Sequence, residues 1–338
     1  MSLSLKPRNS VRAKISAVGA YVPPRLLTNA DLEKMVETND EWIQTRTGIR
    51  ERHIVEPGTA TSDLAVEAAR ICLANRGIHP SELDAIIVAT VTPDMLFPAT
   101  ACIVQAKLGA PNAWGFDLSA ACSGYLYALQ IGAKLIESGA QKKVLIIGAD
   151  VMSSIVDYTD RSTCILFGDG AGATLLEPCE PGEIGLIDYV HEVDGTGAAS
   201  LNMPAGGSLH PATHATIDAR QHYVHQDGGS VYKVAVRKMA ELTECVLKRN
   251  DITGADLDCF IPHQANRRII EATADRLGMP LERVVINIDR YGNTTAATIP
   301  LAMDTAIKEN RIKKGDLVML ASFGGGYTIG STLLRWEF

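Results

Sequence analysis

The sequence predicts an α/β protein built from two copies of one pattern, and three observations carry that prediction. Apolar runs of strand length alternate with stretches of helical periodicity along the 338 residues. The order of elements in the first half then recurs in the second. Leu83-Asp84 matches Leu257-Asp258 at a shift of 174, and Leu108-Gly109 matches Leu277-Gly278 at a shift of 169. A near-constant shift of half the chain marks an internal duplication, because solenoid repeats run to only about 20–50 residues. Strands that are apolar throughout predict mostly parallel sheets covered on both faces. The halves are expected at 11–183 and 184–338.

Taken in order, 14–22 reads as an opening strand broken by Pro23-Pro24. Residues 29–36 and 40–47 read as short helices begun by capping residues. A helix over 62–76 stops at Gly77, a buried strand spans 83–90, and a helix over 99–108 stops at Gly109. Next comes a short strand ending near Leu118, a turn of small residues, and a helix over 122–138. Leu126, Leu129, Ala133 and Ile136 form its apolar stripe, and Gly139 its stop. Further strands lie at 144–148 and 171–177. The second half repeats the series with a helix over 231–249, a strand over 257–262, a helix over 265–277 stopped at Gly278, and a strand over 284–288. Residues 195–228 show no periodicity and form the longest loop.

Composition narrows the function. With 46% hydrophobic and 21% charged residues the chain reads as an ordinary globular protein. A net charge of −7 argues against a nucleic-acid protein. No apolar run approaches the roughly 18 residues of a membrane span, and the first ten residues read as a short flexible tail, not a signal peptide. Seven cysteines without a CxxC pair suit free thiols in a reducing cytoplasm. His210, His214, His222 and His225 complete no recognised ligand spacing, so no metal is expected.

Cys122 lies at or beside the start of the helix over 122–138. Unpaired N–H groups and the positive end of the dipole there favour a thiolate, and Ala120, Ala121 and Gly124 leave room around the sulfur. The competing reading is a small apolar residue in a crowded corner. In the second half the equivalent strand-to-helix junctions carry Pro262-His263-Gln264-Ala265-Asn266 and Tyr291-Gly292-Asn293-Thr294-Thr295. Alone, Asn293 could merely cap a helix. Together, Cys122, His263 and Asn293 on repeat-related junctions suggest covalent catalysis with two neutral hydrogen-bond donors.

The segments 116–124 (Phe-Asp-Leu-Ser-Ala-Ala-Cys-Ser-Gly), 262–266, Gly292-Asn293-Thr294 and Phe323-Gly324-Gly325-Gly326 resemble the ordered motifs of the β-ketoacyl-acyl-carrier-protein synthase III family. The resemblance runs from about Val11 to Phe338. It implies the thiolase-like five-layered αβαβα fold of two duplicated halves and a homodimer. It also implies a decarboxylative Claisen condensation that initiates fatty acid biosynthesis, joining a short acyl-CoA primer, acetyl-CoA by expectation, to malonyl-acyl carrier protein. Cys122 would carry the acyl group, with its own N–H and that of Gly325 as oxyanion hole. His263 and Asn293 would hold the enolate oxygen, and Phe323 would wall the departing carboxylate. CoA thioester is then a substrate, and no cofactor is implied.

By the same resemblance the stretch 40–50 matches a CoA entrance motif. Trp42 and Arg161 would sandwich the adenine, Arg46 would lie near the phosphates, and Asn266 would touch the pantetheine. Lys233 and Arg268 would dock the acidic carrier protein. Phe97, reaching across the dimer, would close the acyl pocket around a short primer. Two readings stay open beside this one: a Cys–His hydrolase, and a related condensing enzyme of secondary metabolism that uses longer acyl groups.

Overall fold

Backbone hydrogen bonding turns the apolar runs into two main sheets, seen here in a computed structural model that describes residues 11–338. The first half comprises β1 (Ala13–Tyr21), β2 (Leu26–Thr28), α1 (Asn29–Leu32), α2 (Asp40–Thr47), β3 (Glu51–His53), α3 (Thr61–Arg76), β4 (Ala85–Ala89), α4 (Thr100–Leu108), β5 (Trp114–Leu118), α5 (Gly124–Glu137), β6 (Val144–Asp150) and β7 (Gly170–Pro178). The second half begins with β8 (Leu186–Val193), β9 (Leu201–Asn202), α6 (His214–Asp218), β10 (His225–Gln226), α7 (Gly228–Arg249), β11 (Cys259–Pro262) and α8 (Arg267–Arg276). The chain closes with α9 (Ile288–Tyr291), α10 (Thr298–Lys308), β12 (Leu317–Gly324) and β13 (Thr328–Arg335).

One sheet has the order β1-β7-β6-β4-β5 and the other β11-β12-β13-β8. Read from the opposite edge, the second sheet repeats the first, with β8, β13, β12 and β11 standing for β1, β7, β6 and β4. Helices α5 and α10 lie between the sheets, where Tyr125, Leu129, Ile299 and Met303 fill the central core with Ile146 and Leu320. Helices α3 and α4 cover the outer face of the first sheet, and α7 and α8 that of the second. The resulting five layers, helix-sheet-helix-sheet-helix, are the thiolase-like architecture. Among the described residues no helix is long and apolar enough to cross a membrane.

The sheets are mixed, which corrects the expectation of mostly parallel ones. β4 runs parallel to β5 and β6, and β11 to β12. β7 is antiparallel to both β6 and β1, and β13 to both β12 and β8. A parallel neighbour needs a crossover that passes over the sheet on a helix. The links from β6 to β7 and from β12 to β13 make no such crossing, so the chain reverses direction.

The strand expected over 284–288 does not form. Val284 makes a single bridge with Phe260, and helix α9 begins at Ile288. Side chains take the backbone groups a ladder would have used. Arg311 donates to Val284 O (2.8 Å), while Gln264 donates to Val285 O (3.0 Å) and accepts from Asn287 N (3.0 Å). The helix expected over 29–36 is one turn, and the loop 195–228 contains β9, α6 and β10.

Candidate active site

The first site element is the corner between β5 and α5. The chain leaves β5 at Leu118 and passes Ala121 at a left-handed φ of 47°. It then makes one tight 3₁₀ turn over Ala121–Ser123 before α5 begins at Gly124. The second half clamps this corner. Ser123 Oγ donates to Thr328 O (2.8 Å), and Thr328 Oγ1 donates to Ala120 O (2.7 Å). The end of β12 comes so close that a Cβ on Gly324 would stand 2.6 Å from Cys122 N, so only glycine fits without displacing backbone.

Cys122 is buried, and its thiol departs from expectation. Burial, reinforced by the Asp150 carboxylate, pushes it up to about 12. The helix start is present, but burial outweighs it. Burial and the Asp150 charge both favour the thiol over the thiolate.

His263 comes directly after β11 and extends its ladder by donating its N–H to Ala321 O (2.7 Å). Its Nδ1 sits 2.6 Å from Thr298 Oγ1, and its buried Nε2 has no hydrogen-bond partner among the described residues. Burial lowers the imidazole to about 3, so the ring is neutral at working pH. Asn293 is fixed by backbone on both sides: its N–H donates to Leu166 O (2.9 Å), and its carbonyl accepts from Gly168 N (3.1 Å). Its Oδ1 accepts from Thr295 N (2.9 Å), which leaves the Nδ2 amide protons as its unspent donors.

These three residues line one cleft of about 440 Å³, together with Phe323, whose ring lies 4.9 Å from that of Tyr327. On its other side Cys122 borders a recess of about 350 Å³ lined by Val91, Met152, Ile155, Met203, Val224 and Gly325. The sulfur therefore stands where a cleft carrying two neutral polar groups meets an apolar hollow. Among the described residues no three His, Cys, Asp or Glu side chains converge as a metal set.

Trp42, Arg46, Asn266, Lys233 and Arg268 line the same cleft. The Arg161 guanidinium sits over the Trp42 ring at 5.1 Å and donates to Glu37 O (2.9 Å), while Arg46 lies 5.8 Å from that ring. The slot expected to take an adenine is thus closed, and Arg161 must withdraw for a base to enter. Asn266 caps α8, with Oδ1 accepting from Arg268 N (2.9 Å) and Nδ2 donating to Arg46 O (2.9 Å). Lys233 is exposed, and Arg268 stacks on Tyr232 at 5.2 Å. Phe97 is 84% exposed and reaches neither cavity of its own chain.

Three residues around the site escaped the sequence reading. Asp150 is fully buried, accepting from Thr90 Oγ1 (3.0 Å), Val91 N (2.8 Å), Thr92 Oγ1 (3.0 Å) and Ala296 N (3.2 Å). An aspartate closing the apolar run Val144–Asp150 was the available signal. Arg52 is fully buried without a carboxylate, donating to Leu27 O (3.0 Å), Asn29 Oδ1 (3.0 Å) and Ile165 O (2.8 Å) beneath the Leu166–Gly168 segment that holds Asn293. Thr298, the contact of His263, looks like any helix-start threonine, and no sequence signal marks it.

Known proteins share both the sequence and the fold. Residues 116–195 match the family described as 3-oxoacyl-[acyl-carrier-protein (ACP)] synthase III, and residues 247–336 match its C-terminal domain. The β-ketoacyl-[acyl-carrier-protein] synthase III of Koribacter versatilis is 66% identical over 97% of this chain and 98% of its own length. That of Solibacter usitatus is 60% identical over 97% and 99%. The crystal structure of 3-oxoacyl-[acyl-carrier-protein] synthase III from Aquifex aeolicus superposes with a TM-score of 0.88 at 45% identity, covering 96% of this chain and 100% of that one.

Proposed function

The chain belongs to the β-ketoacyl-acyl-carrier-protein synthase III family of acyltransferases, and from that premise we propose that it condenses a short acyl-CoA, acetyl-CoA first, with malonyl-acyl carrier protein. The products are 3-oxoacyl-carrier, CO₂ and CoA, the opening step of fatty acid biosynthesis. One observation supports this reading above the others. The buried sulfur of Cys122 lies between an apolar hollow suited to an acyl group and a cleft that offers two uncharged donors.

In the first half-reaction the Cys122 sulfur attacks the thioester carbonyl, and the proton it gives up leaves on the departing CoA sulfur. The developing oxyanion lies between the N–H groups of Cys122 and Gly325, rigid backbone donors whose dipoles need no reorganisation. CoA departs and the acyl chain occupies the hollow. In the second, the malonyl thioester oxygen lies against His263 and Asn293. A neutral histidine fills this role with its Nε2–H, and burial makes the charged form costly in this site. Loss of CO₂ beside Phe323 leaves the enolate, whose carbon attacks the acyl-Cys122 carbonyl; the C–S bond breaks, the 3-oxoacyl group leaves on the carrier, and the released Cys122 sulfur takes up a proton from water. Trp42, Arg46, Arg161 and Asn266 would hold the CoA or pantetheine arm, and Lys233 and Arg268 the acidic carrier. The enzyme needs no cofactor in this scheme and works in the cytoplasm.

A homodimer belongs to the same proposal. β5 is the free edge of its sheet, with Trp114 half-exposed, and such an edge can pair with a second copy. Phe97 has no seat in its own chain and would close the partner's hollow. The division at 183/184 falls between β7 and β8, where one sheet ends and the other begins. The hollow is larger than acetyl requires, and this favours one second reading: if Phe97 does not close it, longer acyl primers fit.

The test is a product analysis with acetyl-CoA and malonyl-carrier, plus peptide mapping of the acylated enzyme. The expected outcome is a 3-oxoacyl product, released CO₂, and the acyl group on Cys122 alone. Free acid with malonyl-carrier untouched would establish a hydrolase, and acylation of another cysteine would remove Cys122 from its role.

A further inference from the structure

A neutral histidine can hold its single ring proton on either nitrogen, and only one choice suits an enolate oxygen. His263 lines the cleft, and Nε2 is its ring nitrogen without a hydrogen-bond partner among the described residues, so Nε2 must carry the proton and Nδ1 must be an acceptor. What sets that choice is whatever bonds to Nδ1. In this protein the group is the Thr298 hydroxyl at 2.6 Å, buried with the ring at the start of α10.

The hydroxyl has one proton and two acceptors within reach. The alternative to Nδ1 is Thr295 O, which lies at 3.1 Å, beyond the usual span of an O–H···O bond. Thr295 O is also already satisfied by the Thr298 backbone N–H, which closes the turn Thr295–Ala297. Among the described residues Nδ1 has no other hydrogen-bond partner, and its contact is shorter by half an ångström. We infer that Thr298 is a positioning residue for decarboxylation: its hydroxyl donates to His263 Nδ1 and so holds the ring as the tautomer that presents Nε2–H to the cleft. Thr298 is itself fixed by the backbone turn from which α10 starts, its N–H donating to Thr295 O. The same turn carries Thr295 N, which fixes the Asn293 amide. One short segment thereby orients both donors.

This inference rests on the proposed role of His263, and the experiment separates the two. Thr298→Val keeps the shape and removes the proton, while Thr298→Ser restores it. CO₂ release from malonyl-carrier should fall roughly 10–100-fold in Thr298→Val, the usual cost of losing a group that orients a functional histidine, and recover to within about threefold in Thr298→Ser. Single-turnover acylation of Cys122 should change less than about threefold in both. Nitrogen-15 spectra of histidine-labelled enzyme, with His263 assigned by difference from His263→Ala, should show a protonated Nε2 in the native and Thr298→Ser proteins and a mixture in Thr298→Val. A protonated Nδ1 in the native enzyme would overturn the inference. So would equal loss of both half-reactions in Thr298→Val with unchanged ring signals, which would mark a merely structural role. If instead His263→Ala itself kept full CO₂ release, the reading of His263 would fall, and the inference with it.

Discussion

Where α5 begins, the chain turns through Ala121–Ser123 with Ala121 at φ 47°; where α10 begins, it turns through Thr295–Ala297 with Thr295 at φ 54°. The two corners are 174 positions apart, the shift that also relates β4 to β11. They pack against each other between the sheets, so Cys122 has Ala296 as its counterpart. Sheet register extends the match to the strands that reach over them. Asp150 closes β6 opposite Gly170, and Gly324 closes β12 opposite Thr328. At the second corner the Asp150 carboxylate accepts from Ala296 N (3.2 Å). At the first corner the corresponding residue is Gly324, and no side chain stands over Cys122 N. Duplication supplied the same backbone turn twice. A buried carboxylate occupies one corner, and a glycine leaves Cys122 N, the proposed oxyanion donor, uncovered at the other.

The largest expected effect comes from making the corners alike. Gly324→Asp places a carboxylate over Cys122 N and should lower single-turnover acylation by more than about 10³-fold, the upper end for losing an oxyanion donor. Gly324→Ala serves as the steric control, since its Cβ alone would meet Cys122 N at 2.6 Å, and thermal melts would report whether either variant folds. Near-native acylation in a folded Gly324→Asp enzyme would break the comparison.

Asn293→Asp acts on the second corner. A carboxylate there repels the enolate oxygen, and loss of one such donor costs about 2.7–4 kcal/mol, or roughly 10²–10³ in rate. CO₂ release should fall by that factor while Cys122 acylation stays within about tenfold. The reverse imbalance, in Asn293→Asp and His263→Ala alike, would assign both residues to activating the nucleophile.

Asp150→Asn sharpens the contrast through pH. Burial raises Asp150 from 3.8 to about 6. Its protonated form therefore stabilises the fold at low pH, and that contribution is lost as pH rises from 3.8 through 6. The variant should show a flatter pH dependence of its melting midpoint across that window. With the carboxylate gone, Cys122 should also react with iodoacetamide at lower pH than in the native protein, because the charge that helps hold its thiol up is absent. An unshifted alkylation profile would mean that burial alone sets the thiol.

The smallest effect contrasts the segments that the chain enters on leaving the paired strands β4 and β11. Beyond β11 lies buried His263; beyond β4 lies the loop that exposes Phe97. If Phe97 fills the partner's hollow, Phe97→Thr should favour longer acyl-CoAs by up to about 0.8 kcal/mol, roughly fourfold, for each added methylene accommodated. Rates from acetyl- to dodecanoyl-CoA would measure this, and an unchanged profile would remove Phe97 from the pocket.

The amino-acid sequence by itself determined the alternation of strands and helices, the duplication, and the junctions carrying Cys122, His263 and Asn293. Each of these is written locally, in apolar periodicity, in glycine stops such as Gly109 and Gly278, or in short ordered motifs. Tertiary structure alone decided the rest. Direction in the sheets depends on whether a connection crosses a face, so β7 and β13 came out antiparallel where parallel neighbours were expected. The backbone at Val284–Asn287 bonded to Arg311 and Gln264, distant side chains that no local pattern announces. Burial and Asp150 push the Cys122 thiol up, against the pull of the helix start visible in the sequence. Arg52, Asp150 and Thr298 act through partners up to 146 positions away along the chain. A polar group's role depends on what folding sets against it, and chain separation hides that until the two halves close on one another.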